Sequence, residues 1–472
     1  MNIKSFLEIE KKYNLCHMEI GGINIWEYCR FEMWNSIICA ERLQLQKAHR
    51  IGSKKPIFTL IKNSVCGYMK YISSAKKNVD VCFITHERRV KENEYYDCMY
   101  TESLIEMYPN SIVFEAPYKY GHLIPTRTAN MIYTDWIVII GNVYARLQKM
   151  FNTVAYRRIY EAIKEQWEMP FGEMKKEYEL QAEFDRLIKI AIEKYFLCKI
   201  QYGMYESMLK KFSPKVIVEV CHYSRQCMLV NEIAKKMNIP TIEIQHGTMH
   251  ADHVAYQYMV KEEIFQLPRR IFLFSDFWKT QLHMPIDGKN LITTGFPYFE
   301  KKLEKYKNIK KTSDKKTILF ISQGTIGKQL SLLAVDLSRK LDENTYRIIY
   351  KLHPGEYSDW KKVYSELVKS NIEVVDNSEK NIYEYFSVAD VQIGVYSTAI
   401  YEGLGFGLQT MLYNIAHADT MSELVENEYA VFVNNADEIL EELKKEKNMC
   451  VGNIFWKRNA LENMNAEIKK YL

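Results

Sequence analysis

Residues 216–244, VIVEVCHYSRQCMLVNEIAKKMNIPTIEI, decide the fold class of this chain. Two short runs rich in β-branched residues, 216–220 and 241–244, flank a polar loop and a segment of helical character. A strand, a helix and a second strand in this order favour a parallel pair, because parallel strands need a crossover connection. Strands that are apolar almost throughout indicate a sheet covered on both faces. The stretch therefore predicts an α/β domain.

The same alternation of strand-like and helical segments continues in both directions. Around the first stretch, the further predicted strands are 79–84, 111–114, 271–274 and 291–295. A second block follows the charged run 301–316, and its predicted strands are 317–321, 347–352, 372–375, 391–395 and 410–413. Two such blocks predict two Rossmann-like domains, each with a parallel sheet between helices.

The remaining segments complete a prediction for the whole chain. We expect an N-terminal helical segment over 1–55 and a first Rossmann-like domain over 56–310, with a helical insertion near 146–211. The second Rossmann-like domain covers 311–450. A C-terminal helix over 451–472 is expected to pack back on the first domain. The apolar run 136–140, Trp-Ile-Val-Ile-Ile, has the length of a strand.

Composition narrows the class of protein. The 472 residues include 64 Lys and Arg against 59 Asp and Glu, a net charge of +5, with 47% apolar and 26% charged residues. These values are typical of globular proteins and exclude a mostly disordered or collagen-like chain. The ten cysteines are scattered without paired spacing, which argues against a disulfide framework or a zinc site. No signal peptide or spanning stretch is evident, so we expect a cytoplasmic protein.

Ligands of open parallel sheets bind beyond the carboxyl ends of the strands, so residues at those ends are the site candidates. Gln245-His246-Gly247 ends one strand, and His246 there can take a proton from a hydroxyl group. By strand alternation, Glu243 is expected to point with Gln245 and away from His246. A structural histidine bonded to the backbone is the alternative reading.

Three further strand ends in the second block carry candidate phosphate-binding residues. His353-Pro354 follows one strand, with Lys351 two residues earlier on the same face. Ser397-Thr398 opens a helix whose free N–H groups favour an anion, and Glu402 lies one turn further, where it can bond ribose hydroxyls. The turn that contains Gly324 and Thr325 lets a ligand lie against the backbone, but it lacks the spacing of a nucleoside-triphosphate loop.

Weaker candidates follow the first-block strands. The residues proposed there to hold an anionic acceptor are His86, Arg88, Arg89, His222 and Arg225. Surface charge is the alternative reading for these residues. No pair of carboxylates stands at a strand end in a metal-binding pattern, so we predict no metal site.

The combination of two Rossmann-like domains with Gln245-His246-Gly247, His353-Pro354 and Ser397-Thr398 resembles bacterial glycosyltransferases of the two-Rossmann type (GT-B). The nearest groups by motif are the capsular-polysaccharide and polysialyl or Kdo transferases and the CDP-glycerol glycerophosphotransferases. The resemblance covers residues 210–300 and 316–415. It implies that His353-Pro354 and Ser397-Thr398 hold the donor phosphates and that His246 is the base. The sialyl-type enzymes carry an acidic-acidic-Gly motif where Gln245-His246-Gly247 stands, which argues against sialic acid.

The residues and the resemblance together predict a metal-independent, inverting glycosyltransferase of bacterial surface-polysaccharide synthesis. Its partners are a nucleotide-sugar donor, with CMP, CDP, UDP and GDP all left open, and a glycan or lipid-linked glycan acceptor. No further cofactor and no nucleic acid are expected, and the protein can rest on the inner membrane face. The alternatives are glycerol-phosphate transfer from CDP-glycerol, a nucleotide-sugar 2-epimerase, and a non-catalytic polysaccharide-assembly subunit.

Overall fold

A computed structural model of the chain describes residues 3–35, 57–86, 89–118, 121–178, 184–307, 309, 314–445 and 451–472. The chain divides into two compact units. The first contains the described residues up to Pro297 together with Asn459–Leu472, and the second is Tyr298–Arg458. Each unit contains one parallel sheet, which confirms the prediction of two Rossmann-like α/β domains. The division after Pro297 comes earlier in the chain than the predicted boundary at residue 310.

The first unit starts with helices and continues with alternating strands and helices. Its elements are α1 (Ile3–Lys12), α2 (Ile25–Met33), α3 (Ile57–Ser73), β1 (Val81–Ile84), β2 (Val90–Glu92), β3 (Tyr95–Asp97), α4 (Glu102–Ile105), β4 (Ser111–Glu115), β5 (Met131–Tyr133), α5 (Asp135–Met150), α6 (Val154–Glu177), α7 (Phe184–Phe212), β6 (Val216–Val220), α8 (Arg225–Lys236), β7 (Thr241–Ile244), β8 (Arg270–Leu273) and β9 (Leu291–Thr293).

The first sheet has the strand order β5-β4-β1-β6-β7-β8-β9, and all its pairs are parallel. Strands β2 and β3 form a separate antiparallel hairpin. Alternate residues of β1 lie in two different cores: Val81 and Phe83 in one, Cys82 and Ile84 in the other. Both faces of the sheet are therefore covered, which explains why β1 is apolar throughout.

The second unit repeats the pattern in a shorter form. Its elements are α9 (Pro297–Tyr306), β10 (Lys316–Ile321), α10 (Gly327–Lys340), β11 (Tyr346–Lys351), α11 (Trp360–Val363), α12 (Ser365–Val368), β12 (Glu373–Val375), α13 (Ile382–Val388), β13 (Val391–Gly394), α14 (Thr398–Gly405), β14 (Gln409–Tyr413), α15 (Ser422–Glu426), β15 (Val431–Val433) and α16 (Ala436–Leu443). The last helix, α17 (Ala460–Lys469), belongs to the first unit.

The second sheet has the order β12-β11-β10-β13-β14-β15. Counted along the chain this is the Rossmann order 3-2-1-4-5-6, and the first sheet follows the same order with one strand added at the end. The connections reverse direction between β1 and β6 in the first sheet and between β10 and β13 in the second. Ligand sites in such sheets form at this reversal, beyond the carboxyl ends of the strands.

Some elements differ from the sequence prediction. The run 136–140, which has the length of a strand, lies inside the helix α5, where Trp136 and Ile137 are buried while Ile140 is exposed. The short strands β5 and β15 and the hairpin β2–β3 were not predicted. The predicted C-terminal helix over 451–472 is shorter in the structure, where α17 begins at Ala460 and residues 451–459 are non-helical.

Candidate functional site

The carboxyl end of the first sheet carries a buried carboxylate with three polar neighbours. Glu243 on β7 is fully buried, and the backbone N–H of His222 donates to its Oε1 at 3.1 Å. Nδ1 of His222 lies 2.8 Å from Oε2, and the Tyr256 hydroxyl donates to Oε1 at 2.8 Å. Burial alone would raise the pKa of Glu243, but the neighbouring His222 and His246 lower it below its ordinary value. Glu243 is therefore a carboxylate in the folded protein.

His246 lies beside this carboxylate. Its Nε2 is 3.0 Å from the Tyr223 hydroxyl, and its Nδ1 is 3.8 Å from Oε1 of Glu243. The imidazole is 15% exposed, and the Tyr100 hydroxyl donates to the His246 carbonyl at 2.7 Å. The expectation that Glu243 points away from His246 was wrong. Strand β7 ends at Ile244, so strand alternation does not extend to His246.

The loop after β6 has a strained start. Cys221 adopts a φ of +67°, a region that favours glycine and costs other residues about 1 kcal/mol or more. The turn sends His222 towards Glu243, and Ser224 then caps α8 by accepting from the N–H of Cys227. This turn lies at the reversal between β1 and β6, where the topology places a ligand site.

Aromatic side chains from distant parts of the chain surround Tyr223. The Phe31 ring on α2 lies 4.4 Å from the Tyr223 ring and 5.7 Å from the His253 ring, measured between centroids. The rings of His86 and His246 are stacked at 6.0 Å. Burial lowers the pKa of His253 well below its ordinary value, so this imidazole is neutral. The N-terminal segment, in which the sequence showed no motif, thus forms part of the site.

A buried ion pair fixes that segment. Arg30 on α2 binds both carboxylate oxygens of Glu10 on α1, at 2.6 and 2.8 Å. The same guanidinium donates to the carbonyls of Val254 and Gln257, the latter at 2.6 Å. These carbonyls flank Tyr256, which contacts Glu243. Arg30 therefore links the N-terminal helices to the chain that supports the buried carboxylate.

The residues predicted to bind an acceptor separate into two groups. His86 and His222 lie around His246, as described above. Arg89 is fully buried and forms ion pairs with Glu115 and Glu102, so its charge is neutralised by carboxylates within the fold. Arg225 donates to the side-chain oxygen of Gln201 at 2.9 Å. Arg88 lies outside the described residues.

In the second unit, the reversal between β10 and β13 brings two candidate loops together. The Thr325 hydroxyl lies 2.6 Å from the Tyr396 hydroxyl, which joins the Gly324 turn to the loop after β13. Ser397 caps α14 by accepting from the N–H of Ala399 at 3.2 Å. The first-turn N–H groups of α14 therefore face the carboxyl end of the sheet.

The His353 loop follows β11, the neighbour of β10 on its other side. His353 is exposed, its Nδ1 accepts from the N–H of Gly355 at 3.1 Å, and its own N–H donates to Glu356 at 2.7 Å. The second oxygen of Glu356 accepts from Ser322 at 3.0 Å and from Tyr364 at 2.5 Å. Glu356 thus ties the His353 loop to the start of the Gly324 turn. No role was predicted for Glu356, although its spacing from His353 fits a capping box.

Two residues that were predicted to bind the nucleotide-sugar donor, Lys351 and Glu402, form hydrogen bonds with other groups of the second unit. The Lys351 ammonium donates to the Tyr357 hydroxyl at 2.6 Å and to the carbonyls of Leu352 and Asn377. It therefore fixes the loop after β11 rather than facing the α14 N-terminus. Glu402 is buried on α14 and accepts from the Tyr383 hydroxyl at 3.1 Å. Burial raises the pKa of Glu402 to about 7.

Neither a metal-binding cluster nor a spanning helix is found in the described part of the chain. No group of three or more His, Cys, Asp or Glu side chains there is arranged to hold a metal ion. None of the described helices combines the length and apolar character needed to cross a bilayer.

Comparisons with known proteins find solved structures that are similar to this chain in fold alone. No protein-family model and no curated protein matches the chain. The UDP-GlcNAc 2-epimerase of Methanocaldococcus jannaschii aligns with 83% of this chain and 99% of its own, at 12% identity and a TM-score of 0.49. The UDP-GlcNAc 2-epimerase of Neisseria meningitidis, bound to UDP-GlcNAc, aligns with 58% and 82%, at 16% identity and a TM-score of 0.43. The wall teichoic acid polymerase TagF aligns with 92% of both chains, at 12% identity and a TM-score of 0.41.

Proposed function

We propose that this protein is a metal-independent glycosyltransferase that moves a sugar from a nucleotide-sugar donor to a glycan or lipid-linked glycan acceptor. We place it inside a bacterial cell, in the synthesis of a surface polysaccharide. The observation that carries the proposal is the joined pair of loops at the reversal of the second sheet, next to the N-terminus of α14. Oriented N–H groups and hydroxyls at such a point are suited to the phosphates of a nucleotide.

The donor side uses three neighbouring strand ends. The Gly324 turn, the exposed His353 and the Ser397-Thr398 helix start follow β10, β11 and β13, which are adjacent in the sheet. In the proposed reaction these groups neutralise the negative charge that develops on the leaving nucleoside phosphate. Glu356 supports them by fixing two of the loops.

The acceptor side uses the histidine cluster of the first unit. The acceptor oxygen attacks the anomeric carbon, the bond from that carbon to the phosphate oxygen breaks, and His246 takes the hydroxyl proton. The Glu243 carboxylate, 3.8 Å from Nδ1, stabilises the imidazolium that forms. Attack from the side opposite the leaving group inverts the anomeric carbon.

The donor assignment is tested by nucleotide binding. CMP, CDP, UDP and GDP, each with and without EDTA, are compared by thermal shift, because a ligand of the folded state raises the melting temperature. We expect one nucleotide to stabilise the protein with or without EDTA, and Ser397→Ala to reduce that stabilisation. The matched control is Ser370→Ala, since Ser370 lies in the loop that precedes β12 and therefore at the amino ends of the strands. Absence of any nucleotide effect would contradict the donor site.

The catalytic assignment is tested separately with His246→Asn. Loss of a general base typically lowers the rate about 10²- to 10⁴-fold, whereas nucleotide binding by the second unit should stay unchanged. Full transfer activity in this variant would refute His246 as the base, whereas unchanged polysaccharide synthesis by a protein without transfer activity of its own would favour the non-catalytic assembly subunit. Transfer of glycerol phosphate from CDP-glycerol, rather than of a sugar, would keep His246 in its role and change the donor. Release of an epimerised nucleotide sugar without any acceptor would instead identify a 2-epimerase.

A further inference from the structure

An exposed apolar stripe runs along α3 in the first unit. Ile61, Val65, Met69 and Ile72 recur at helical spacing, with exposures of 48%, 58%, 54% and 46%. The opposite side of α3 packs inwards at Gly67, where an added Cβ would collide with the carbonyl oxygen of Tyr133. Within the part of the chain that the structure describes, the stripe is therefore an outer face of a packed helix, and its apolar side chains are exposed.

A second exposed stripe lies on the adjacent helix α5 and the turn after it. Val143, Leu147 and Met150 are 51%, 42% and 66% exposed, and Phe151 and Val154 beyond them are 68% and 74% exposed. Helices α3 and α5 are in contact, since the ring of Tyr68 lies 5.2 Å and that of Tyr71 5.6 Å from the Trp136 ring. We call the two stripes together the α3–α5 face. Half of the exposed large apolar side chains of the described residues lie in segments 61–72 and 140–154.

The charge of these two segments has one sign. Residues 57–79 and 136–160 contain no Asp or Glu, whereas each contains four Lys or Arg. The whole chain, by contrast, has nearly equal numbers, 64 against 59. Lys62 on α3 and Arg146 and Lys149 on α5 are exposed between the apolar positions. A second copy of the same face would bring cations against cations, which disfavours a symmetric dimer through this surface.

We propose that the α3–α5 face docks on the surface of an anionic lipid bilayer. Large exposed apolar side chains enter the boundary between headgroups and acyl chains, while neighbouring Lys and Arg bind the anionic headgroups. The helices lie on the bilayer and do not cross it, in agreement with their length and polarity. The inference adds a binding surface and does not depend on the proposed chemistry.

Vesicle sedimentation of the full chain tests this proposal without any substrate. Phosphatidylcholine vesicles are compared with vesicles that also contain phosphatidylglycerol, at low and high salt. We expect binding only to the anionic vesicles, weakened by salt. The Val65→Glu/Met69→Glu variant should bind at least ten-fold more weakly, because it places charge in the apolar boundary. Arg146→Gln/Lys149→Gln should lose about five-fold for each cation removed, since each contributes ~1 kcal/mol near an anionic membrane.

The matched control is Leu332→Glu/Val368→Glu on the second unit, where the native side chains are 48% and 47% exposed. It should bind like the unchanged protein, and circular dichroism checks that every variant is folded. The proposal is overturned if the unchanged protein does not sediment with anionic vesicles, or if neutral vesicles bind it equally. Equal binding by the control and the face variants also overturns it. So does a dimer, detected by light scattering, that the face variants dissociate, because a second copy would then cover the face.

Discussion

The buried carboxyl group of Glu402 makes the stability of the second unit depend on pH. Glu402 lies on α14 and accepts a hydrogen bond from the hydroxyl of the buried Tyr383, whose ring stacks with Phe406 at 6.1 Å. Burial raises the pKa of Glu402 from 4.5 to about 7, although the bond from Tyr383 lowers it in part. Replacement by glutamine keeps the shape and the acceptor oxygen but removes the ionisation.

The direction of the pH dependence follows from the pKa of Glu402 in the unfolded chain, 4.5, and in the folded protein, about 7. Between pH 4.5 and about 7, the unfolded chain releases the Glu402 proton while the folded chain keeps it, so the free energy of unfolding falls as the pH rises. Above pH 7 the Glu402 carboxyl group is ionised in both the folded and the unfolded chain, and the free energy of unfolding falls no further on its account. At ~1.36 kcal/mol per pH unit the full loss of stability is about 3 kcal/mol, and most of it falls between pH 5 and pH 8.

Glu402→Gln should therefore gain roughly 2–3 kcal/mol of stability over the unchanged protein when the two are compared at pH 8 rather than at pH 5. Hydrogen exchange of peptides from β13 and α14 measures this locally, because the two units need not unfold together. Exposed Glu379, changed to Gln, is the matched control and should show no pH-dependent difference. Equal protection of Glu402→Gln and unchanged protein at both pH values would refute the argument that Glu402 is buried and protonated.

Three further predictions concern the buried networks. Glu243→Gln should destabilise the first unit by about 3 kcal/mol or more, because it leaves His222 without its carboxylate, and urea unfolding measures the loss. In the unchanged protein the lowered pKa of Glu243 means that this contribution is present above pH 4.5 and is lost as the pH falls below it. Gly327→Ala should cost about 1–3 kcal/mol and weaken nucleotide binding, because the new methyl group collides with Glu356. Arg30→Met should accelerate hydrogen exchange in residues 254–257, because it removes the donor to the carbonyls of Val254 and Gln257.

Much of the fold could be predicted because most strands are short apolar runs that end in polar turns. The exceptions have physical reasons. The run 136–140 is apolar for five residues, a length that suits a buried strand or one side of a helix equally well, and only the longer segment to Met150 distinguishes them. Strands β5 and β15 have three residues each, which is too short for an alternation pattern to show.

The candidate site could be predicted only in part. Ligands of open parallel sheets bind at strand ends, so the sequence predicts His246, His353 and Ser397 as site residues, and each lies shortly after a strand in the structure. What the sequence does not reveal is which side chains meet across long separations. Glu243 was expected to point away from His246 by an alternation that ends with β7 at Ile244, two residues before His246. Glu356 joins loops that follow two different strands.

The N-terminal segment shows how such long-range contacts bear on function. Its α2 helix supplies Phe31 to the aromatic surroundings of Tyr223 and Arg30 to the carbonyls beside Tyr256. Tyr223 and Tyr256 in turn contact His246 and Glu243. A chain that lacked α1 and α2 would keep every strand of the first sheet and lose the support of its central carboxylate. In physical terms, the segment without a recognisable motif belongs to the proposed acceptor site as much as the strand ends do.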